Sequence, residues 1–278
     1  MKVDRSAMIC LAILALVVAS ISCGTSAPAT QNPPTADTTT NTAPPSTNES
    51  PPTAIPVDLT DGLVAYYPFD GNVLDTSGHG HDGQVAAPVF VEDFAGNANS
   101  ALYFNGVDTI VTIPDADELS LEGSFSISML VKGDQNSDHQ WLLIAKHQAG
   151  ECQPGTSSWF LRYSEPSGGM YLSMYDQSAE CGTHFGYGST DIVLNDGIWH
   201  SLALTYDQPT QALTFTLDCE VMLVMTAALN IQDNPQPLTI GNQYYGPAST
   251  NYAGVLDEVR LYNRALADFE LAALCAGR

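Results

Sequence analysis

The 278-residue chain is 44% hydrophobic, which is enough for a sizeable core, but it carries 31 acidic against 8 basic side chains and a formal net charge of −23. Such a surface repels phosphate backbones and anionic lipids, because affinity for nucleic acids depends on cationic side chains. The composition therefore argues against nucleic-acid binding and favours a soluble surface that attracts divalent cations.

Residues 1–22 are typical of an export signal. Lys2 and Arg5 precede an apolar run, 7–21, that is shorter than the roughly 20 residues a membrane-spanning helix needs. The run ends in SISC at 20–23, which resembles the lipobox of bacterial lipoproteins, although its first position is usually Leu. The resemblance implies cleavage before Cys23, lipid on Cys23, and a protein anchored to a membrane at the cell surface or in the periplasm. An ordinary secretory signal and an N-terminal anchor helix are the alternatives.

A tether is predicted for residues 23–60. Twenty of the thirty-three residues between 24 and 56 are Pro, Thr or Ser, and none is aromatic. A segment of this composition buries too little apolar surface to offset the entropy lost on ordering. We therefore expect a disordered spacer between the anchor and a folded domain over 61–278.

From residue 61 onward the sequence alternates between apolar and polar positions. The clearest runs are SFSISMLVK (124–132), HSLALTYD (200–207) and ALTFTLD (212–218), among about a dozen candidate strands. A period of two with one polar face is typical of antiparallel strands that bury one side. Only residues 267–275 have a helical pattern. The sequence predicts an all-β fold, a two-sheet antiparallel jelly-roll sandwich with a short C-terminal helix.

Four cysteines remain outside the signal segment: Cys152, Cys181, Cys219 and Cys275. In an exported protein they favour two disulfides, and none has the spacing of a zinc knuckle. We expect Cys152–Cys181 to join the ends of neighbouring loops, which leaves Cys219–Cys275 as the second pair. Free buried thiols are the alternative for that second pair.

Several blocks follow one another in an order that resembles a known family: GLVAYYPFDGNVLDTSGHGHDG, FSISMLVK, WHSLALTYD, LTIGN and GVLDEVRLYNRAL. They resemble laminin-G-like, concanavalin-A-like jelly-roll domains of bacterial surface proteins, over nearly all of 61–275. Two positions depart from the family pattern: Cys219, where a turn glycine is usual, and Ala267, where a capping serine is common. We expect Asp268 to cap the helix instead.

The loop FDGNVLDTSGHGHDG (69–83) predicts a calcium site. Calcium takes six to eight oxygen ligands, and the side-chain candidates are Asp70, Asn72, Asp75 and Asp257. Alternation places Asp257 on the face of Val255, Val259 and Leu261, where a carboxylate is costly without a cation. The resemblance implies that the strands before Asp70 and around Asp257 lie close together.

Two other interpretations of this loop remain open. Asx turns in the loop, with Asp257 paired to Arg264 or another arginine, would need no metal. His79 and His81 suit zinc better than calcium, yet no third nitrogen or sulfur ligand has fitting spacing nearby. We expect a structural calcium ion as the cofactor.

A ligand surface is predicted where aromatic residues cluster, because exposed rings with a few polar groups hold sugars and protein partners. In GMYLSMYD, Leu172 and Met174 should face the core and Tyr171 and Tyr175 the outside. The candidate ligand-binding residues are Trp159, Tyr171, Tyr175, His184, Tyr187, Tyr244 and Tyr245. The alternative is that these rings only pack. The expected partner is a glycan or a surface protein.

Catalysis is the rival hypothesis, because concanavalin-A-like folds include glucanases. A retaining glycosidase needs two carboxylates about 5–5.5 Å apart. The E-x-D-x-x-E signature of related jelly-roll glucanases is absent from the sequence. We therefore predict non-catalytic recognition; a glycoside hydrolase and a passive adhesin or spacer domain are the alternatives.

Overall fold

The computed structural model describes residues 57–135, 140–147, 157–164, 169–174, 183–188, 192–231, 233–242 and 250–276. Several predicted features lie outside these residues: the signal, the lipidation site Cys23, most of the tether, the predicted Cys152–Cys181 pair, Tyr175, Tyr244 and Tyr245. Within them, no helix is both long and apolar enough to cross a membrane.

Strands make up almost all of the regular structure. They are β1 Leu63–Tyr67, β2 Val89–Val91, β3 Ala101–Asn105, β4 Val111–Ile113, β5 Phe125–Gly133, β6 Gln140–His147, β7 Ser157–Ser164, β8 Gly169–Met174, β9 Thr183–Gly188, β10 His200–Asp207, β11 Ala212–Leu217, β12 Glu220–Thr226, β13 Leu238–Ile240 and β14 Ala253–Tyr262. A 3₁₀ helix covers Asp117–Ser120, and the helix α1 covers Asp268–Ala276.

The strands form two antiparallel sheets. The first has the order β12-β11-β10-β5-β14-β3-β2, with β1 also paired to β14, and the second has the order β4-β13-β6-β7-β8-β9. Neighbours such as β14 and β3 are far apart in sequence, as the long connections of a jelly roll require. The two-sheet sandwich with a C-terminal helix confirms the predicted fold class.

The core lies between the sheets and follows the alternation seen in the sequence. In β5, the odd-numbered residues from Phe125 to Val131 belong to the main hydrophobic cluster, as do Trp159, Leu161 and Tyr163 of β7. The even-numbered residues of β5 face away from it. One of them, Ser126, donates its hydroxyl to the Arg264 carbonyl and accepts the Leu266 amide. The segment before α1 therefore covers the outer face of β5.

A disulfide joins Cys219 to Cys275, with their Cα atoms 5.7 Å apart, which confirms the second predicted pair. Cys219 lies in the two-residue turn between β11 and β12, and both Asp218 and Cys219 have positive φ angles, 50° and 70°. This is the conformation of the hairpin turns that favour glycine. The turn thus forms without glycine, and its cysteine holds the last turn of α1.

The N-terminus of α1 differs from the prediction. Ala267 precedes the helix and accepts the amides of Glu270 and Leu271, while the Glu270 carboxylate accepts the Ala267 amide at 2.8 Å. In a capping box, the carboxylate of the third helical residue accepts the amide of the N-cap residue, and Glu270 makes this bond with Ala267. Asp268 is therefore not the cap; Glu270, held by a two-pronged ion pair with Arg264, takes that role. Arg264 therefore forms an ion pair with Glu270 and not with Asp257.

Acid should destabilise the fold through His147. This residue is 3% exposed and its ring centroid lies 5.0 Å from that of Phe160. Burial lowers the pKa of His147 to about 4. In the unfolded chain, the imidazole of residue 147 binds a proton below about pH 6.5, whereas in the folded protein it stays neutral down to about pH 4. The free energy of unfolding should therefore fall by about 3 kcal/mol as the pH drops from about 6.5 to 4.

Denaturant titrations across this pH range check the effect. His147→Phe should remove that part of the pH dependence, whereas His79→Gln, at an exposed position, should keep it. Identical pH profiles for the wild type and His147→Phe would contradict the assignment.

Candidate functional site

Asp257 lies at a gap in the first sheet, between the ends of β3 and β1, which we call the notch. The first half of β14 pairs with β3, for example Leu256 with Leu102, and the second half pairs with β1, for example Val259 with Tyr67. Along β14, Asp257 lies at the point where the neighbouring strand changes from β3 to β1. The loops that follow β1 and precede β3 therefore both reach its neighbourhood.

A bulge in β14 changes the predicted face of Asp257. The register with β5 shifts between Asp257 and Arg260, and Glu258 has a φ of 54°. Leu256 and Val259 both belong to the main core, so the alternation breaks between them. Asp257 lies opposite Leu130, which faces away from the core, and directly opposed residues share a face. The prediction that Asp257 shares a face with Val259 was wrong, because alternation does not anticipate a bulge.

Asp257 is nevertheless buried, with 4% of its surface exposed. In the described structure it accepts one hydrogen bond, from the Glu258 amide to Oδ1 at 2.8 Å, and no arginine or lysine pairs with it. Burial, together with repulsion from Glu258, Asp93 and Asp70, raises the pKa of Asp257 to about 8. A buried carboxylate with so few partners is costly unless a cation balances it.

The two flanking loops bring further oxygen atoms to the notch. Asp70 is exposed and Asp93 half-buried, and both are close enough to repel Asp257. The loops also touch: a Cβ at Gly71 would lie 3.8 Å from the Asn99 carbonyl oxygen. Sequence reasoning missed Asp93, which lies in EDFAGN after β2 and gives no periodic signal.

Backbone strain gathers around the same notch. Phe69, Asn99 and Glu258 have positive φ angles of 52°, 59° and 54°. Each such residue costs of order 1–3 kcal/mol, and clusters of them are typical of functional sites. The strained residues come from all three segments that surround Asp257.

The side chains of Asp75 and Asn72 form hydrogen bonds with the backbone of their own loop and of β1. Asp75 Oδ1 accepts the Tyr66 and Ser77 amides, and Oδ2 accepts the Gly80 and His81 amides. Although burial opposes it, these bonds lower the pKa of Asp75. Asn72 donates to the Asp70 carbonyl and accepts the Leu74 amide. The Asx-turn alternative therefore describes Asp75 and Asn72, while Asp70 and Asp257 retain accepting oxygens for a cation.

Trp159 is a core residue and not a surface aromatic. It is 1% exposed, and its indole Nε1 donates to the Ser120 carbonyl at 3.1 Å. The expectation that a ligand contacts this ring is corrected, because residue 159 lies on the inward face of β7. Sequence alternation in SSWFLRYS already groups it with Leu161 and Tyr163.

Tyr171 lies on the outer face of the second sheet, as expected from its position beside the core residue Leu172. It is half-buried and directly opposite Arg162 of β7, whose guanidinium carbon lies 5.1 Å from the Tyr171 ring centroid. Strand β9 continues this sheet, pairing His184 with Ser173 and Tyr187 with Met170. The side chains of His184 and Tyr187 lie outside the described part.

Residues 89–272 match a laminin G family model described as the Concanavalin A-like lectin/glucanases superfamily. The match begins at β2 and covers the rest of the sandwich. Among curated proteins, no sequence matches this chain.

Several solved structures share the fold. The binding domain of Paraclostridial Mosquitocidal Protein 1 superposes with a TM-score of 0.64 at 16% identity, over 79% of this chain and 53% of that one. The ligand-binding domain of botulinum neurotoxin serotype D, in complex with N-acetylneuraminic acid, gives 0.60 at 10%, over 79% and 52%. Domain 4 of AbnA, a GH43 extracellular arabinanase from Geobacillus stearothermophilus in complex with arabinotriose, gives 0.57 at 20%, over 77% and 98%.

This chain thus spans about half the length of the two toxin domains and nearly all of the arabinanase domain. At these identities the likeness concerns the fold alone.

Proposed function

Because the chain belongs to the concanavalin A-like lectin/glucanases superfamily, we propose that it is a non-catalytic recognition domain for glycans or surface proteins. The domain works outside the cytoplasm, exported by its N-terminal signal and held at a membrane by lipid on Cys23. The tether after Cys23 gives the domain reach from that membrane. The acidic chain avoids nucleic acids and anionic lipid surfaces.

The observation that carries the proposal is the pair Tyr171–Arg162 on the outer face of the second sheet. A half-buried ring beside a guanidinium offers both an apolar surface and hydrogen-bond donors, which is what a sugar or a protein anchor requires. The structural relatives solved with arabinotriose and N-acetylneuraminic acid support a glycan as the first ligand class to test.

Tyr171→Ala should weaken glycan binding at least about tenfold, because removing one aromatic anchor costs more than about 1.4 kcal/mol. Phe94→Ala, an exposed aromatic outside the second sheet, is the matched control and should bind as the wild type does. The measurement is a glycan array followed by affinity electrophoresis, with thermal unfolding to show that both variants are folded.

The array is run with calcium and with EDTA. A flat array in both buffers would contradict glycan recognition and point to a protein partner. Release of reducing ends from a bound polysaccharide would instead support the hydrolase alternative.

A structural calcium ion in the notch is the second part of the proposal. Asp257 and Asp70 from the original set, with Asp93 added, are the carboxylates proposed to bind the ion. In the described structure these three do not lie within 4.8 Å of one another, so the two loops would close on the ion when it binds; the Asn99 carbonyl oxygen, 3.8 Å from the Cβ position of Gly71, lies where these loops meet. Calcium prefers such oxygen donors and tolerates irregular geometry. What supports the ion is the buried Asp257 carboxylate, which has one hydrogen bond and no cationic partner in the described structure.

A further inference from the structure

Two histidines and a glutamate converge at the tip of the loop after β1. One donor atom each from His79, His81 and Glu118 lies within 4.8 Å of the other two. The Nδ1 atom of His79 is 3.3 Å from Glu118 Oε2, and Nε2 of His81 contacts Oε1 of the same carboxylate. Glu118 thus bridges two imidazoles that come from a segment 37 residues earlier.

The spacing of these atoms suits a small transition-metal ion. Donors around a tetrahedral zinc ion at about 2.0–2.1 Å lie about 3.3 Å apart, and two imidazoles with one glutamate form a known zinc ligand set. Imidazole nitrogen favours zinc and its neighbours in the first transition row, whereas calcium favours oxygen. The cluster therefore differs in donor chemistry from the notch at Asp257.

The loop backbone holds both imidazoles on one side. Gly78 and Gly80, which flank His79, have φ angles of 96° and 82°, in a region that residues with side chains rarely adopt. Asp75 accepts the His81 amide at 3.0 Å, and the Tyr67 hydroxyl donates to the His81 carbonyl at 2.8 Å. The position of His81 is thereby fixed to the core strand β1.

The third ligand is also held by the fold. Glu118 belongs to the 3₁₀ helix Asp117–Ser120, whose Leu119 is fully buried in the main core. About 40% of the Glu118 side chain and 43% of His79 remain exposed, against 11% of His81. On its inner side the cluster is held by hydrogen bonds and core packing, and on its outer side it is open, so that water can complete the coordination of a metal.

We infer that His79, His81 and Glu118 form a binding site for a divalent transition-metal ion of the zinc class. The site is independent of glycan recognition and of the calcium notch, so either proposal can fail without the other. Without a metal, the same contacts would be ordinary hydrogen bonds between imidazoles and a carboxylate; metal titration separates the two cases.

The test is calorimetric titration of the untagged chain with zinc chloride in excess calcium, which occupies oxygen-rich sites. We expect one tight zinc ion per chain. His79→Ala, His81→Ala and Glu118→Gln should each weaken it by at least about tenfold, since each removes a direct ligand. Because His79 is exposed, His79→Ala keeps the fold intact and is the decisive variant.

His200→Ala is the matched control. His200 also contacts carboxylates, Asp218 at 2.7 Å and Asp196 at 3.3 Å, but no second histidine among the described side chains joins these contacts. It should bind zinc as the wild type does. Cobalt substitution gives an independent reading, because cobalt in a tetrahedral site absorbs strongly in the visible range. No zinc binding by the wild type, wild-type affinity in His79→Ala, or loss of the ion only in His200→Ala would each overturn the inference.

Discussion

Asp257→Asn should abolish stabilisation by calcium and, in calcium-free buffer, should make the protein more stable than the wild type. The amide keeps the size of the side chain but removes a buried carboxyl whose pKa is raised to about 8, so that near pH 7 the folded wild type holds a proton that the unfolded chain releases. Because the unfolded carboxyl ionises near pH 4, this proton uptake costs the wild type about 4 kcal/mol at pH 7, and the amide avoids that cost. For the wild type, calcium at about one hundred times its dissociation constant should add about 2.7 kcal/mol.

Thermal unfolding with calcium chloride and with EDTA measures both effects. For a domain of this size, the wild-type midpoint should rise by about 5–10 °C in calcium, and the midpoint of Asp257→Asn should not change. Asp70→Asn and Asp93→Asn should reduce the shift, whereas the exposed Asp268→Asn should preserve it. If the thermal midpoint of the wild type is the same in calcium chloride and in EDTA, the notch is not a calcium site.

Removing the Cys219–Cys275 disulfide should lower the free energy of unfolding by about 4 kcal/mol. The bond closes a loop over a sequence separation of 56, and the chain entropy released on cutting it grows with loop length. The turn would keep its strained backbone, since Cys219 has a φ of 70°, without the cross-link that offsets the strain. Helix α1 should then detach first.

Single and double serine variants distinguish the cross-link from local contacts. Cys219→Ser, Cys275→Ser and the double variant should lose nearly the same free energy in urea titrations, because either change breaks the one bond. Proteolysis near α1 should become faster in all three. Additive losses would mean that the two side chains contribute separately and that the bond itself adds little.

The sequence predicted the sandwich because alternation survives in long strands such as β5 and β7. Phe125 to Val131 and Trp159 to Tyr163 show the pattern directly. It failed at Asp257, because a bulge moves one residue to the other face without leaving a mark in the sequence. The same alternation, applied to β7, would have kept Trp159 in the core.

The metal-ligand predictions did not take into account that local hydrogen bonding competes with coordination. Asp75 has the ideal residue type for a calcium ligand, yet its oxygens are used by four amides of its own fold. Conversely, no local pattern marks Glu118 as a metal ligand, and only the packing of the 3₁₀ helix brings it to the histidines. Distances between segments far apart in sequence are not encoded in local patterns.

The position of β14 has a consequence for how the protein folds. This last strand of the chain lies in the middle of the first sheet, between β5 on one side and β3 and β1 on the other. Until it is in place, those strands have unpaired edges, which invite association with other chains. Pairings such as Leu63 with Tyr262 span nearly the whole domain and give a high contact order, so folding should take milliseconds to seconds. The first sheet can be completed only after β14 has been synthesised and is free to pair.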